Sequence, residues 1–277
     1  MTQTPIGPSA SPADTSVAQY AVALDDGAST LVEQWGENGP LVLCVHGMTS
    51  SRKSWERTAL RLRDRYRVVA YDQRGHGDSS GVAGPMTLDR AVRDLENVAS
   101  ALGEAPFALL GHSWGGAIAI LGGRTLPVAR IAAIDPAVRQ LSREWYDEFL
   151  AEIAPLFALH GEARAARVRE DYAEWSEIDR ERKVHAVATM TAEPIARLRD
   201  ENPPERWSFA PTIASYPKPL LLAIADPTAS IVGADDLATI RREGGERVEI
   251  LVFEGADHNL HRTAFDRFAA ELDRFLG

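Results

Sequence analysis

The clearest chemistry in the chain lies in one pentad, Gly111-His112-Ser113-Trp114-Gly115, which spells G-x-S-x-G. It follows an apolar run, Phe107–Leu110, and opens a stretch of small residues, Trp114–Leu126. A strand turning sharply into a helix holds the intervening serine in a strained conformation with its hydroxyl exposed, and the flanking glycines let backbones approach closely. The start of the helix also favours the negative charge that develops in acyl transfer. A serine hydroxyl is a weak nucleophile until a base takes its proton. His258, in Gly255-Ala256-Asp257-His258 after the apolar run Val248–Phe253, is the candidate base, with His261 as its neighbour and rival.

A serine–histidine pair needs two further parts. One is a pair of backbone donors for the tetrahedral oxyanion, each contributing about 2.7–4 kcal/mol to barrier lowering. The N–H groups of Met48, in His46-Gly47-Met48-Thr49-Ser50, and of Trp114 are the candidates; His46 itself is expected to pack in the core. The other part is a buried carboxylate on the histidine Nδ1, which fixes the tautomer and stabilises the imidazolium. Asp135, in Ile134-Asp135-Pro136, and Asp226, after the run Leu220–Ala225, both stand between Ser113 and His258 in chain order. Asp135 is preferred and Asp226 is the alternative; Asp257, in a turn beside His258, is a poor geometric candidate.

The elements that must position these groups follow from hydrophobic pattern. Strands are expected at Val17–Leu24 and Ser29–Trp35, joined at Asp25-Asp26-Gly27, and at Leu41–Val45, Arg67–Tyr71, Phe107–Leu110, Ile131–Ile134, Leu220–Ala225 and Val248–Phe253. Short continuous apolar runs suit strands buried on both faces of a parallel sheet. Helices are expected at Ser54–Arg63, from a Thr87 cap to Leu102, at Trp114–Leu126 and at the C-terminus, where Phe265, Phe268, Leu272 and Phe275 share a face. This alternation predicts an α/β fold with helices on both faces of the sheet. It breaks between about Pro136 and Pro217, a stretch of helical texture. The expected organisation is a disordered tail over 1–15, a core over 16–135 and 218–277, and a helical insertion over 136–217.

His46-Gly47, Asp72-Gln73-Arg74-Gly75-His76-Gly77-Asp78-Ser79, the serine pentad with Gly116, and Gly255-Ala256-Asp257-His258 together resemble the α/β-hydrolase superfamily, over roughly residues 17–135 and 216–277. The resemblance implies a mostly parallel eight-stranded sheet, a catalytic histidine in the loop after the last strand, and an acid after either of two strands. In relatives the second block is a structural loop, so Asp72, Arg74 and His76 are expected to be scaffold. It implies that the insertion caps the site, with Trp145, Phe149 and Trp175 as candidate substrate contacts among its aromatics. The charged segment Arg164–Arg182 is expected to be a solvated helix face. The implied activity is a serine hydrolase acting on a small ester or lactone, apolar or aromatic, through an acyl-enzyme. Cleavage of a carbon–carbon bond in a dienoate-like diketone, peptidase activity of the proline-iminopeptidase kind, and a silent ligand-binding member of the fold stay open. Superfamily members with an aspartate nucleophile, the haloalkane dehalogenases and epoxide hydrolases, are disfavoured by Ser113.

Composition bounds the partners. Of 277 residues, 45% are hydrophobic and 25% charged, which suits a globular protein. A net charge of −10 repels phosphate backbones and disfavours nucleic acid. The one cysteine, Cys44, excludes an internal disulfide. No apolar run is long enough to span a membrane, and the N-terminal stretch lacks the basic start and apolar core of a secretory signal. The expectation is a cytoplasmic protein with a small-molecule substrate. No metal-ligand cluster and no dinucleotide fingerprint is present, so neither metal nor cofactor is expected. Substrate identity and oligomeric state are not encoded in these patterns.

Overall fold

The computed structural model describes residues 17–202 and 207–277; the expected tail over 1–15 lies outside them. Eight strands form one sheet: β1 Val17–Ala23, β2 Ser29–Trp35, β3 Leu41–Val45, β4 Arg67–Tyr71, β5 Ala108–His112, β6 Arg130–Ile134, β7 Leu220–Ile224 and β8 Val248–Val252. Their order is β1-β2-β4-β3-β5-β6-β7-β8. β1 pairs antiparallel with β2, and β2 with β4; the other five pairings are parallel. β3, β5 and β7 are buried at every position, as central parallel strands must be. Successive residues of β3 feed opposite faces: Leu41, Leu43 and Val45 join the core on one side, Val42 and Cys44 the core on the other.

Helices cover both faces. α1 Glu56–Leu62 is preceded by a short 3₁₀ turn, Arg52–Trp55, so the element begins two residues earlier than the pattern suggests. α2 Leu88–Ala101 starts where Thr87 Oγ1 accepts the Arg90 N–H at 3.2 Å, satisfying one orphan donor of the first turn. α3 Trp114–Thr125 is almost wholly buried, and its small residues let it lie close against the sheet. The insertion holds α4 Arg143–Ala158, α5 Gly161–Asp171, α6 Glu177–Ala188 and α7 Glu193–Glu201. The short α8 Ala210–Ala214 leads back to β7. α9 Ala234–Glu243, which the sequence pattern did not reveal, joins β7 to β8. α10 Leu260–Thr263 and α11 Phe265–Leu276 close the fold. The buried face of α11 is formed by Phe268, Ala269, Leu272, Phe275 and Leu276. Phe265 departs from that face and lies under the Arg57 guanidinium, 3.8 Å from ring centroid to Cζ.

One expectation for the insertion is corrected. Arg164–Arg182 spans parts of two helices, and its first residue is no surface charge. Arg164 is buried and donates to the carbonyls of Phe157, Leu159 and Val187 at 2.9, 2.7 and 2.8 Å, tying the ends of α4 and α6 together. Trp207 and Phe209, near the end of the insertion, pack into the main core. They lie on its return leg, which is zipped to its outgoing leg: Gln140 N donates to Trp207 O at 3.0 Å and Phe209 N to Val138 O at 2.8 Å. Trp207 Nε1 donates to Ala137 O at 3.2 Å, and the Trp207 ring rests 4.6 Å from that of Trp114 on α3. No helix among the described residues is long and apolar enough to cross a membrane.

Candidate active site

The carboxyl ends of β3, β5 and β6 lie side by side. Register pairs Val45 with Gly111 and His112 with Ile134, so the residues after each strand converge outside the same edge, where open α/β sheets bind ligands. Ser113 is the turn between β5 and α3, with φ 57° and ψ −122°. Its neighbours explain why such a turn forms here. A Cβ on Gly111 would lie 2.2 Å from the Gly115 carbonyl oxygen, and one on Gly115 would lie 2.3 Å from that of Val45. Only glycine allows α3 to pack this tightly on β3 and β5, and this contact leaves the serine between them in the left-handed region.

Asp135 follows β6 and is fully buried at φ 38°. Among the described residues, Ser113 and Asp135 are the two non-glycine positions at positive φ. Asp135 Oδ1 accepts from Ala225 N at 3.1 Å and from Ser230 Oγ at 2.5 Å, and Oδ2 accepts from Ile231 N at 3.1 Å. Oδ2 also accepts from His258 Nδ1 at 2.6 Å. That bond occupies Nδ1 of the half-buried His258 and leaves Nε2 outside it; His258 and Ser113 line one cavity.

Asp226, the other carboxylate considered for the histidine, does different work. Its Oδ1 accepts from Thr228 N and Oγ1 at 3.0 and 2.7 Å, and its Oδ2 from Gly255 N at 2.9 Å. These bonds hold its pKa down to about 2, the Gly255 N–H contributing most, and they brace the loop after β7 against the one after β8. Asp257 Oδ1 accepts from Asn259 N and Thr263 Oγ1 and so caps its own turn. His261 is buried between Trp55, His112 and Phe268, and burial pushes its pKa well below the ordinary histidine value.

The loop after β3 is pinned from several sides. His46 is buried; its Nε2 accepts from Gln73 N at 3.0 Å and its Nδ1 donates to Gly47 O at 2.8 Å. His76 Nε2 donates to Met48 O at 2.5 Å. Lys183 of α6 donates to Thr49 O and Oγ1 at 2.8 and 2.9 Å. Gly47 lies against the serine, since a Cβ there would come 3.2 Å from Ser113 Cβ. Met48 and Trp114 both line the cavity beside Ser113.

Asp72 and Arg74 hold the chain rather than the cavity. Asp72 accepts from the backbone N–H groups of Arg52 and Asp78 at 2.8 and 2.9 Å and is paired with the Arg52 guanidinium. Arg74 forms a fork with Asp94, at 3.1 Å for each bond. His112 was not singled out by sequence as anything but the variable residue of the pentad. Its Nε2 donates to His258 O at 2.9 Å, and its ring lies 4.7 Å from that of His258, so the residue before the serine holds the histidine's loop.

The cavity has a volume of about 200 Å³. Trp145, Phe149 and Trp175, the three aromatic residues expected to meet a substrate, all line it, together with Tyr172. Trp145 stacks on Phe149 at 5.1 Å, and Tyr172 packs on Trp175 at 4.3 Å. The insertion thus contributes aromatic rings to the cavity that Ser113 and His258 line.

The chain spans about half or less of the length of most of the curated relatives it matches. It is 34% identical to "Lipase LipV" of Mycobacterium tuberculosis, over 53% of this chain and 56% of the lipase. It is 25% identical to 2-(acetamidomethylene)succinate hydrolase of Mesorhizobium japonicum, over 91% of this chain and 94% of that protein. Several other curated relatives are matched over less than half of their own length. The crystal structure of E-2-(acetamidomethylene)succinate hydrolase superposes with a TM-score of 0.79 at 22% identity, covering 94% of this chain and 99% of the other. The profile described as "Alpha/beta hydrolase family" matches residues 42–271, which include the serine turn, both aspartates after β6 and β7, and the histidine loop. By that match and by its sheet, the chain belongs to the alpha/beta hydrolase family.

Proposed function

We propose that the protein is a serine hydrolase that cleaves a small apolar or aromatic ester or lactone through an acyl-enzyme. The observation that carries this reading is the strained Ser113 sharing one cavity with His258, whose far nitrogen is bound at 2.6 Å to the buried Asp135. In this reading His258 Nε2 takes the Ser113 proton as Oγ attacks the substrate carbonyl. The same nitrogen then returns the proton to the leaving alkoxide as the acyl–oxygen bond breaks. A water, deprotonated by His258, releases the acid and restores Ser113. Asp135 keeps Nδ1–H as the donor and stabilises the imidazolium. The N–H groups of Met48 and Trp114 receive the oxyanion; Trp114 is the first residue of α3 and has no intrahelical acceptor for its N–H.

The likeness to proteins named a lipase and a 2-(acetamidomethylene)succinate hydrolase supports hydrolysis as the reaction. The aromatic lining supports an apolar or aromatic group on the substrate. The test is turnover of a panel of p-nitrophenyl esters by the wild type and by Ser113→Ala, with fluorophosphonate labelling of both. Turnover and labelling that vanish together in Ser113→Ala are the expected result. Ester turnover that persists in Ser113→Ala, or a wild type that neither turns over nor labels, would overturn the reading.

A further inference from the structure

Two cations project into the same cavity without a carboxylate to balance them. Lys183 of α6 and Arg262 of α10 are each 6% exposed, and both line the cavity. The other buried arginines have their partners. Arg52 is paired with Glu33, Asp72 and Asp78; Arg74 with Asp94 and Asp26; Arg164 is wrapped in carbonyls. Lys183 Nζ has Thr49 O and Oγ1, which leaves one of its three donors uncommitted. Arg262 gives Nη1 to Asn259 Oδ1 at 3.0 Å and Nη2 to Ser50 Oγ at 3.3 Å, while its buried Nε has no partner. Among the described residues neither cation has a carboxylate within ion-pair distance. The charges of Asp179 and Asp257 reach Arg262 from beyond ion-pair distance; Asp179 is itself bound to Arg57 at 3.0 Å, and Asp257 accepts from Asn259 N and Thr263 Oγ1. Glu152 lines the same cavity but is exposed.

The two cations are neighbours. Their partners, Thr49 and Ser50, adjoin in the chain. Lys183 Nζ lies 5.2 Å from the Tyr172 ring centroid and Arg262 Cζ lies 4.4 Å from that of Trp175, and these two rings touch. Burial and then the charge of Arg262 push Lys183 down to about 7, and burial lowers Arg262 as well. Buried, uncompensated charge is strongly unfavourable, and a pair of like charges more so. An anion between them would relieve both. The chain as a whole carries −10 and repels acidic molecules, so an acidic ligand would need such a local positive site.

We propose that Lys183 and Arg262 form a carboxylate-binding subsite within the catalytic cavity, so that the substrate is an acidic ester or lactone bearing a free carboxylate beside its apolar group. The subsite adjoins the loop that carries Met48, and the Tyr172–Trp175 pair lies against its two cations. The inference rests on the hydrolase reading for the word "substrate", but not for the binding itself.

The test is therefore binding before turnover. Calorimetric titration of the wild type with phenylbutyrate and with the neutral phenylbutyramide compares a carboxylate with its uncharged isostere on the same aromatic body. The expected result is tighter binding of the carboxylate by about tenfold or more, the scale of a charge-assisted hydrogen bond. The preference should fall to near unity in Lys183→Met and in Arg262→Met, each checked for native circular dichroism. Equal binding of acid and amide by the wild type would overturn the subsite, and it needs no variant to fold. A wild-type preference retained in a folded Arg262→Met would overturn it as well. Carboxylate binding without any ester turnover would sink the hydrolase reading alone; ester turnover without carboxylate preference would sink the subsite alone.

Discussion

The Ser113 amide donates to the carbonyl of Ile134, the residue before Asp135, at 2.9 Å, and Ala137 N donates back to Ser113 O at 3.0 Å. Ser113 is therefore bonded to the chain on both sides of Asp135, one step beyond the last His112–Ile134 pair of the β5–β6 ladder. The turn that carries the proposed nucleophile is thus tied by backbone to the turn that carries the proposed acid.

Asp135→Asn is expected to lower kcat by about 10⁴ while leaving KM nearly unchanged, because the amide can present its N–H to His258 and favour the wrong tautomer. Asp226→Asn is expected to keep kcat within a few-fold and mainly loosen the loop it braces. Steady-state kinetics of the two variants side by side decide between the carboxylates, and a reversed pattern would move the role to Asp226.

Ser230→Ala removes one of three protein donors to Asp135 apart from His258. A hydrogen bond to a buried charged group contributes about 1.5–3 kcal/mol. The variant is expected to lose stability on that scale in urea titration and to show a partial loss of kcat, far smaller than that of Asp135→Asn. An unchanged urea midpoint would mean that the other two donors suffice.

Gly115→Ala places a methyl group 2.3 and 2.4 Å from the backbone carbonyl oxygens of Val45 and His46. Backbone cannot swing aside as a side chain can. The expected outcome is a destabilisation of about 1–3 kcal/mol or more, with loss of serine labelling, read by thermal melting and fluorophosphonate reactivity.

Lys183 gives a pH signature of stability. Its folded value is about 7, set first by burial and then by Arg262, against about 10.4 in an unfolded chain. Between these values the unfolded state holds more protons, so the lysine's unfavourable contribution is full below about pH 7 and fades as pH rises towards about 10. The ionisable groups beside it are Arg262 from α10 and Tyr172 from the end of α5. Lys183→Met is expected to raise the urea midpoint most near pH 6 and least near pH 10, compared with the wild type. A constant difference across that range would show that the lysine keeps its proton throughout.

Much of the sheet could be read from apolar runs, because a strand buried on both faces advertises itself in five consecutive residues, as Leu41–Val45 and Leu220–Ile224 do. The serine turn was legible for the same local reason: its glycines are needed within two residues of Ser113. Which aspartate meets His258 was legible only as a preference for Asp135, since both follow strands and both lie between serine and histidine. What separates them is tertiary: three donors from residues 225–231 close around Asp135, while Thr228 and Gly255 occupy Asp226. Arg164 read as surface charge because its acceptors are carbonyls at the far ends of neighbouring helices, and carbonyls have no letter in a sequence. Lys183 and Arg262 were passed over for the converse reason. Their distinction is that no carboxylate among the described residues forms an ion pair with either, and that becomes visible only once the chain has folded.

The zipped legs of the insertion carry a consequence for recombining such proteins. Residues 138–140 and 207–209 hold each other, Trp207 leans on Trp114, and Ala137 is tied to the serine turn. A transplanted insertion cut at the obvious borders, beside Pro136 and Pro217, would carry away part of the footing of the donor's serine. Crossover points placed just inside the zipper, after Gln140 and before Trp207, exchange the insertion and leave its foundations with the recipient.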